Sequence, residues 1–320
     1  MSYDRTPQAP IQSGYGPQTR ARDVVGTRRL DGLVAVVTGG YAGVGLETTR
    51  ALAQAGARVI VPARTPDKAR ASLAGLGSVA IYPLDLADPA SVDTFAGQFL
   101  ELASPLHVLI NNAGIMAAPF HRDARGFESQ LATNHLGHFQ LTSRLWPALL
   151  QAKGARVVSL SSRGHVRSAF DFEDPHFERR QYDKWLAYGQ SKTANALFAI
   201  GLDARGAARD VRAFSVHPGA IETDLMRSMP DEEKVAALSA ASKISALKSP
   251  EQGAATTLWC AISPELEGRG GVYCEDVDIA EVVPPDYPTP RGVRPWASDP
   301  ELAERLWNVS EQWTGCSLSA

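Results

Sequence analysis

The amino-acid sequence predicts a doubly wound α/β fold, a parallel sheet with helices on both faces. Three observations carry that prediction. Apolar, β-branched runs recur along the chain with long helical intervals between them. A Gly-rich turn stands where the first run passes into a helix. The 320 residues are 44% hydrophobic, which supplies one large core for a single domain.

The elements follow in order. LVAVVT (33–38) is the first strand, and the Gly-rich turn leads from it into a helix ending at Gly56. ARVIVPA (57–63) is the second strand, and Pro66 opens the next helix. SVAIYPL (78–84) is the third, with Asp88 and Pro89 as cap and first helical residue of the helix that follows. HVLINN (107–112), ARVVSLSS (155–162), VRAFSV (211–216) and GVYCE (271–275) complete the strands. Residues 1 to about 22 are polar and rich in Gly, Pro and Gln, which reads as a loose arm. Pro284, Pro285, Pro288, Pro290 and Pro295 make 281–298 irregular. Asp299-Pro300 then starts a terminal helix with Leu302, Leu306, Val309 and Trp313 on one face. The expected organisation is an N-terminal arm (1–30), a dinucleotide-binding catalytic domain (31–280) and a C-terminal extension (281–320).

Charge and cysteine usage narrow the class. The net charge of −3 creates no field that recruits nucleic acid. Cys260, Cys274 and Cys316 form no CxxC pair, which argues against a disulfide framework or zinc knuckle and suits a cytoplasmic location. No apolar run has the length of a membrane span, and the first thirty residues carry no signal-peptide pattern.

Thr38-Gly39-Gly40-Tyr41-Ala42-Gly43-Val44-Gly45 lets the backbone turn tightly and brings a pyrophosphate close to a helix N-terminus, whose free N–H groups favour anions. Alone, such a stretch is also an ordinary tight turn. Further signals stand downstream: Asp85-Leu86, Asn111-Asn112-Ala113-Gly114, Asn134, Ser161-Ser162, Tyr188-Gly189-Gln190-Ser191-Lys192, and His217-Pro218-Gly219-Ala220-Ile221-Glu222-Thr223. In this order and over residues 31–275, they resemble the short-chain dehydrogenase/reductase family, which has a Rossmann-type fold. The resemblance implies an oxidoreductase moving a hydride between a nicotinamide cofactor and a carbonyl/alcohol pair. It places Thr38, Gly39, Tyr41, Gly43, Val44, Gly45, Asp85, Leu86, Asn112, Ala113, Gly114, Pro218, Gly219, Ile221 and Thr223 at the cofactor. It makes Ser162 the hydrogen-bond donor to the substrate oxygen, Tyr188 the proton donor, and Lys192 a holder of the nicotinamide ribose. Asn134 anchors a water in the proton path. Ser161 is the alternative to Ser162.

The chemistry fits those residue types. Hydride delivery to a carbonyl needs a proton for the developing alkoxide, and a phenol with an ordinary pKa of about 10 is an adequate acid but a poor base near neutrality. Lys192 lies four residues after Tyr188, on the same helix face, where its ammonium is expected to lower the phenol pKa. A solvated helix face is the plainer reading of such a pair taken by itself.

One departure is informative. Tyr188 follows Ser162 by 26 positions, about twice the interval of the simplest family members, and the insert carries Phe170, Phe172, Phe177, Tyr182 and Trp185. With AYGQSKTAN it resembles the retinol-dehydrogenase-like branch. The insert either packs over the sheet edge or faces substrate. Phe172, Trp185, Met226 and Met229 are expected to shape an apolar pocket, the two methionines on a mobile lid. The expected substrate is a bulky, uncharged ketone or aldehyde, because no arginine has been placed to bind a carboxylate.

His135 and His138 have a spacing that could hold a metal, yet no third ligand is near, so both read as structural and no metal is expected. NADP(H) is expected over NAD(H): Ala63 stands where an NAD enzyme places an acid, and Arg64 follows it, with Lys68 in support. Arg64 stacked on adenine would serve either cofactor, which keeps NAD(H) open. Two other readings are a non-catalytic dinucleotide sensor and an epimerase or dehydratase using the same Tyr/Lys pair. The resemblance implies a homodimer paired through the long helices, unless Trp307 and Trp313 of the extension cover that surface.

Overall fold

The computed structural model describes residues 5–244, 246–289 and 291–318, so Pro290 and residues 1–4 of the arm lie outside it. The strands are β1 (Val34–Val37), β2 (Arg58–Ala63), β3 (Val79–Pro83), β4 (Val108–Asn111), β5 (Ala155–Leu160), β6 (Val211–His217), β7 (Val272–Glu275) and β8 (Asp278–Ile279). The helices are α1 (Ala21–Val25), α2 (Gly43–Gln54), α3 (Pro66–Ser72), α4 (Pro89–Glu101), the short α5 (Ser129–Leu131), α6 (Gly137–Gln151), α7 (Lys184–Gly206), α8 (Asp231–Ile244), α9 (Pro250–Ile262) and α10 (Pro300–Thr314).

The sheet runs β3-β2-β1-β4-β5-β6-β7-β8, parallel throughout except for the β7–β8 pair. The chain enters at β1, winds out to β3, then returns to β4 and winds the other way. Strand order therefore reverses between β1 and β4, and in such sheets the crevice at the carboxyl ends there receives ligands. Because every central strand is covered on both faces, side chains alternate between two cores. Val59 and Val61 face one with α1, α2 and α9; Ile60 and Leu109 face the other with α4, α6 and α7.

Each sequence-derived strand lies within a residue or two of its expected position, while β8 escapes notice at two residues. The arm departs from its reading as loose. The Gln8 amide donates to the Tyr273 and Ala280 carbonyls and accepts from Tyr273 N–H, and Ser13 Oγ donates to the Val277 carbonyl. Its polar residues satisfy backbone groups along the β7–β8 edge, where an open strand would expose them. The terminal helix forms as expected, capped by Asp299 at the Glu301 and Leu302 N–H groups. It lies on α7 and α6, with Trp307 buried edge-on against Phe139 and stacked on Phe198.

Candidate active site

The crevice at the switch point opens into a cavity of about 790 Å³. Each residue that the sequence assigns to the cofactor lines it, from Thr38 through Arg64, Asp85 and Asn112 to Thr223. The turn is shaped for close approach. A Cβ on Gly45 would stand 2.4 Å from the Gly39 carbonyl oxygen, and Gly43 has φ 51° with Thr223 packed 3.0 Å from where its Cβ would be. Ala42 caps α2 without a side-chain bond, so the first-turn N–H groups of α2 keep their donors for an anion. Thr38 fastens the turn to β4: its Oγ1 accepts from the Asn112 and Ala113 N–H groups at 2.9 and 3.0 Å. These residues fit the pyrophosphate end of a dinucleotide.

Ser162 ends the segment after β5, and Tyr188 and Lys192 lie one turn apart on α7, all three lining the same cavity. Gly164 packs on Tyr188 so closely that a Cβ there would fall 2.7 Å from the ring, and its N–H donates to Ser162 Oγ at 3.0 Å. Serine and phenol are thus set by one short turn. Burial pushes the Tyr188 phenol up to about 12, against a lowering by the Ser162 hydroxyl bond. Burial also drags the Lys192 ammonium down to about 7. Its Nζ donates to the Leu160 carbonyl at 2.8 Å and to Asn195 Oδ1 at 3.2 Å. The phenol is therefore raised rather than depressed as expected, because burial is the leading influence on both residues. Ser161 instead donates to the Lys192 carbonyl, which leaves Ser162 as the hydroxyl beside the phenol.

Asn134 is buried, does not line the cavity, and sits in a π-turn (Ala132–Leu136) ahead of α6. Its side chain accepts from Ile115 N–H and donates to the Ile115 carbonyl and Ser191 Oγ, so it fixes the loop after β4 against α7. Sequence reasoning misses Ser191 and Asn195, the second of which donates to the Asn134 carbonyl. Both stand inside the quoted AYGQSKTAN segment, and one helical turn of spacing from Lys192 was the available signal for Asn195. His138 also belongs here: Nδ1–H donates to the Asn134 carbonyl at 3.0 Å, which leaves Nε2 to accept from Thr38 Oγ1 at 2.9 Å. Burial lowers it to about 4, so it is neutral at pH 7. Its neighbour His135 meets Ser310 of α10, and no group of three metal-ligating side chains occurs among the described residues.

On the substrate side, Trp185 and Met226 line the cavity. Met229 is buried behind them, packed with Met116, Ala117 and Leu238 without reaching the cavity wall. Phe172 lies away from the cavity: its ring is tilted against Phe170, lies under the Arg305 guanidinium and packs on α10. Both readings of the insert hold in part, since Phe170 and Phe172 pack on the extension while Trp185 faces the cavity. Lys68 lines the cavity but is ion-paired to Asp224 at 2.8 Å, whereas Arg64 has no ion pair among the described residues. The sequence reading also misses Arg167, which lines the cavity with its guanidinium over Trp185.

Residues 33–234 match the family described as short chain dehydrogenase. A "Probable oxidoreductase" of Streptomyces lividans is 47% identical over 87% of this chain and 96% of its own length. Mouse retinol dehydrogenase 11 is 38% identical over 88% of this chain and 86% of its own. A crystal structure of a Mycobacterium paratuberculosis protein superposes with TM-score 0.73 at 34% identity, covering 93% of this chain and 98% of that one. The Pseudomonas aeruginosa RhlG/NADP active-site complex superposes with TM-score 0.64 at 26% identity, covering 78% and 96%. Among the described residues no helix is long and apolar enough to cross a membrane. With its Rossmann-type sheet and the Ser162, Tyr188 and Lys192 constellation, the chain belongs to the short-chain dehydrogenase/reductase family, in its retinol-dehydrogenase-like branch, and is an NAD(P)-dependent oxidoreductase acting on CH–OH groups.

Proposed function

We propose that the chain interconverts a carbonyl compound of bulky apolar body and its alcohol, with NADP(H) preferred over NAD(H). The observation that carries this reading is the shared cavity: Ser162, Tyr188 and Lys192 face the same space as the α2 N-terminus and Arg64. A bound nicotinamide supplies the hydride. Ser162 Oγ holds the carbonyl oxygen, and the Tyr188 phenol, protonated at neutral pH, gives the proton as negative charge develops there. Lys192 holds its Nζ against Leu160 and Asn195, near enough to Tyr188 to balance the phenolate left behind. Asn134 is a positioning residue that ties the β4 loop to α7.

The cofactor preference rests on the end of β2. Ala63 is buried and offers no carboxylate to repel a 2′-phosphate, and the exposed Arg64 is uncommitted at the cavity wall. The solved neighbour that carries NADP, and the relatives named retinol dehydrogenases, support the same cofactor and an apolar alcohol. Met116, Met226 and Trp185 give the substrate side an apolar wall. The sensor reading loses ground because tyrosine and lysine are both present and aimed into the cavity. The test is oxidation of NADPH and NADH by purified protein over a panel of apolar ketones and aldehydes. Consumption with some members, faster with NADPH, is expected; none with any carbonyl would overturn the reading.

A further inference from the structure

Arg167 stands at the end of a 3₁₀ turn, Arg163–Arg167, that begins directly after Ser162. The turn is pressed onto α7. A Cβ on Gly189 would lie 3.2 Å from the Arg167 Cβ, so the side chain starts beside Tyr188 and runs toward the helix N-terminus. There its guanidinium lies over Trp185, 5.1 Å from the ring centroid. Both residues line the cavity. A cation–π contact of this kind holds the guanidinium over the ring without using its N–H donors.

Several neighbouring charged groups already have partners. Lys68 pairs with Asp224, and Glu233 of α8, which also lines the cavity, pairs with Lys184 at 2.5 Å. Arg227 donates to the Asp224 carbonyl. Arg167, by contrast, has no ion pair or side-chain hydrogen bond among the described residues, although it is exposed and within reach of solvent. A planar, permanently charged fork thus faces the cavity over Trp185, which stands three residues before Tyr188 on α7.

Resting on the hydride-transfer reading above, we infer that Arg167 is a specificity residue: the substrate carries an anionic oxygen group, a carboxylate in its simplest form, on the apolar body at the end remote from the reacting carbonyl. The carbonyl sits at Ser162 and Tyr188, the body lies along Met116 and Met226, and the anion meets the guanidinium in a bidentate pair. The expectation of an uncharged substrate falls with this, because its premise was that no arginine reaches the pocket.

The experiment compares aryl alkyl ketones bearing a terminal carboxylate with their methyl esters, in wild type, Arg167→Met and Arg167→Lys, with NADPH at low ionic strength. A charge-assisted bond at a partly exposed site sets the scale at about tenfold in kcat/KM. Wild type is expected to favour the acid by that factor, Arg167→Met to lose the preference, and Arg167→Lys to keep part of it. Turnover that favours the ester, or an acid-to-ester ratio unchanged in Arg167→Met, overturns the assignment while leaving hydride transfer standing. A protein inactive on every ketone of the panel and on simple neutral aldehydes overturns the hydride-transfer reading, and this inference with it.

Discussion

Asn134 and Ser191 are joined directly, with Asn134 Nδ2 donating to Ser191 Oγ at 2.9 Å, and Ser191 Oγ donating in turn to the Tyr188 carbonyl at 2.8 Å. The bond couples the π-turn to the helix that carries both the phenol and the ammonium.

Replacing Asn134 with Leu removes three side-chain hydrogen bonds and frees the β4 loop. Turnover is expected to fall about tenfold or more, with stability reduced by about 1–3 kcal/mol because buried partners at Ile115 and Ser191 lose their bonds. Steady-state kinetics and urea unfolding check this. Wild-type kcat in Asn134→Leu would show that the loop needs no such tie.

Lys192 has a stability consequence with a definite sign. Its folded pKa, about 7, lies below its ordinary value of 10.5, so between those pH values the unfolded chain binds more protons than the folded one. Burying the lysine therefore costs stability in full below pH 7, and the cost fades as pH rises toward 10.5. Lys192→Met is expected to abolish turnover yet raise Tm at pH 7 by about 2–4 °C or more. Thermal melts across pH 6–10 should show the gap narrowing with rising pH; a constant gap would mean that the ammonium stays solvated in the folded protein.

Arg64→Ala is expected to raise the Kd for NADP⁺ about tenfold while changing that for NAD⁺ little, as loss of a charge-assisted phosphate contact predicts. Calorimetry with each cofactor reads this without turnover. Equal losses for both would mean that Arg64 stacks on adenine instead.

The extension changes the expectation for assembly. From Ala187 to Asp203, α7 is buried within a single chain, and α6 exposes only Arg144, Pro147 and its last residue, Gln151. Trp307 and Ser310 of α10 occupy the face through which a homodimer was to form. Light scattering at micromolar concentration is expected to give the mass of one chain. A dimer mass would require pairing through some other surface.

Much of this was legible in the sequence because strands buried on both faces leave continuous apolar runs, and because glycine and the Tyr/Lys pair are demanded by local geometry. Gly45 and Tyr188 are of that kind. What escaped depends on long-range contact. Phe172 and Trp185 sit thirteen positions apart in one aromatic-rich insert, and nothing local says that the first turns to α10 and the second to the cavity. Arg167 looks like any surface arginine until α7 is placed beneath it. Gln8 marks a loose segment by composition, yet Tyr273 of β7 and Ala280 after β8 give it three hydrogen bonds.

The central claim is that Tyr188 gives the proton in hydride transfer, and Tyr188→Phe tests it most directly. The substitution removes one hydroxyl from a buried ring and leaves the α2 turn and Arg64 untouched. NADP⁺ binding by calorimetry should stay near wild type while kcat for carbonyl reduction falls by at least about 10²-fold. Turnover near wild type with cofactor bound would contradict the account.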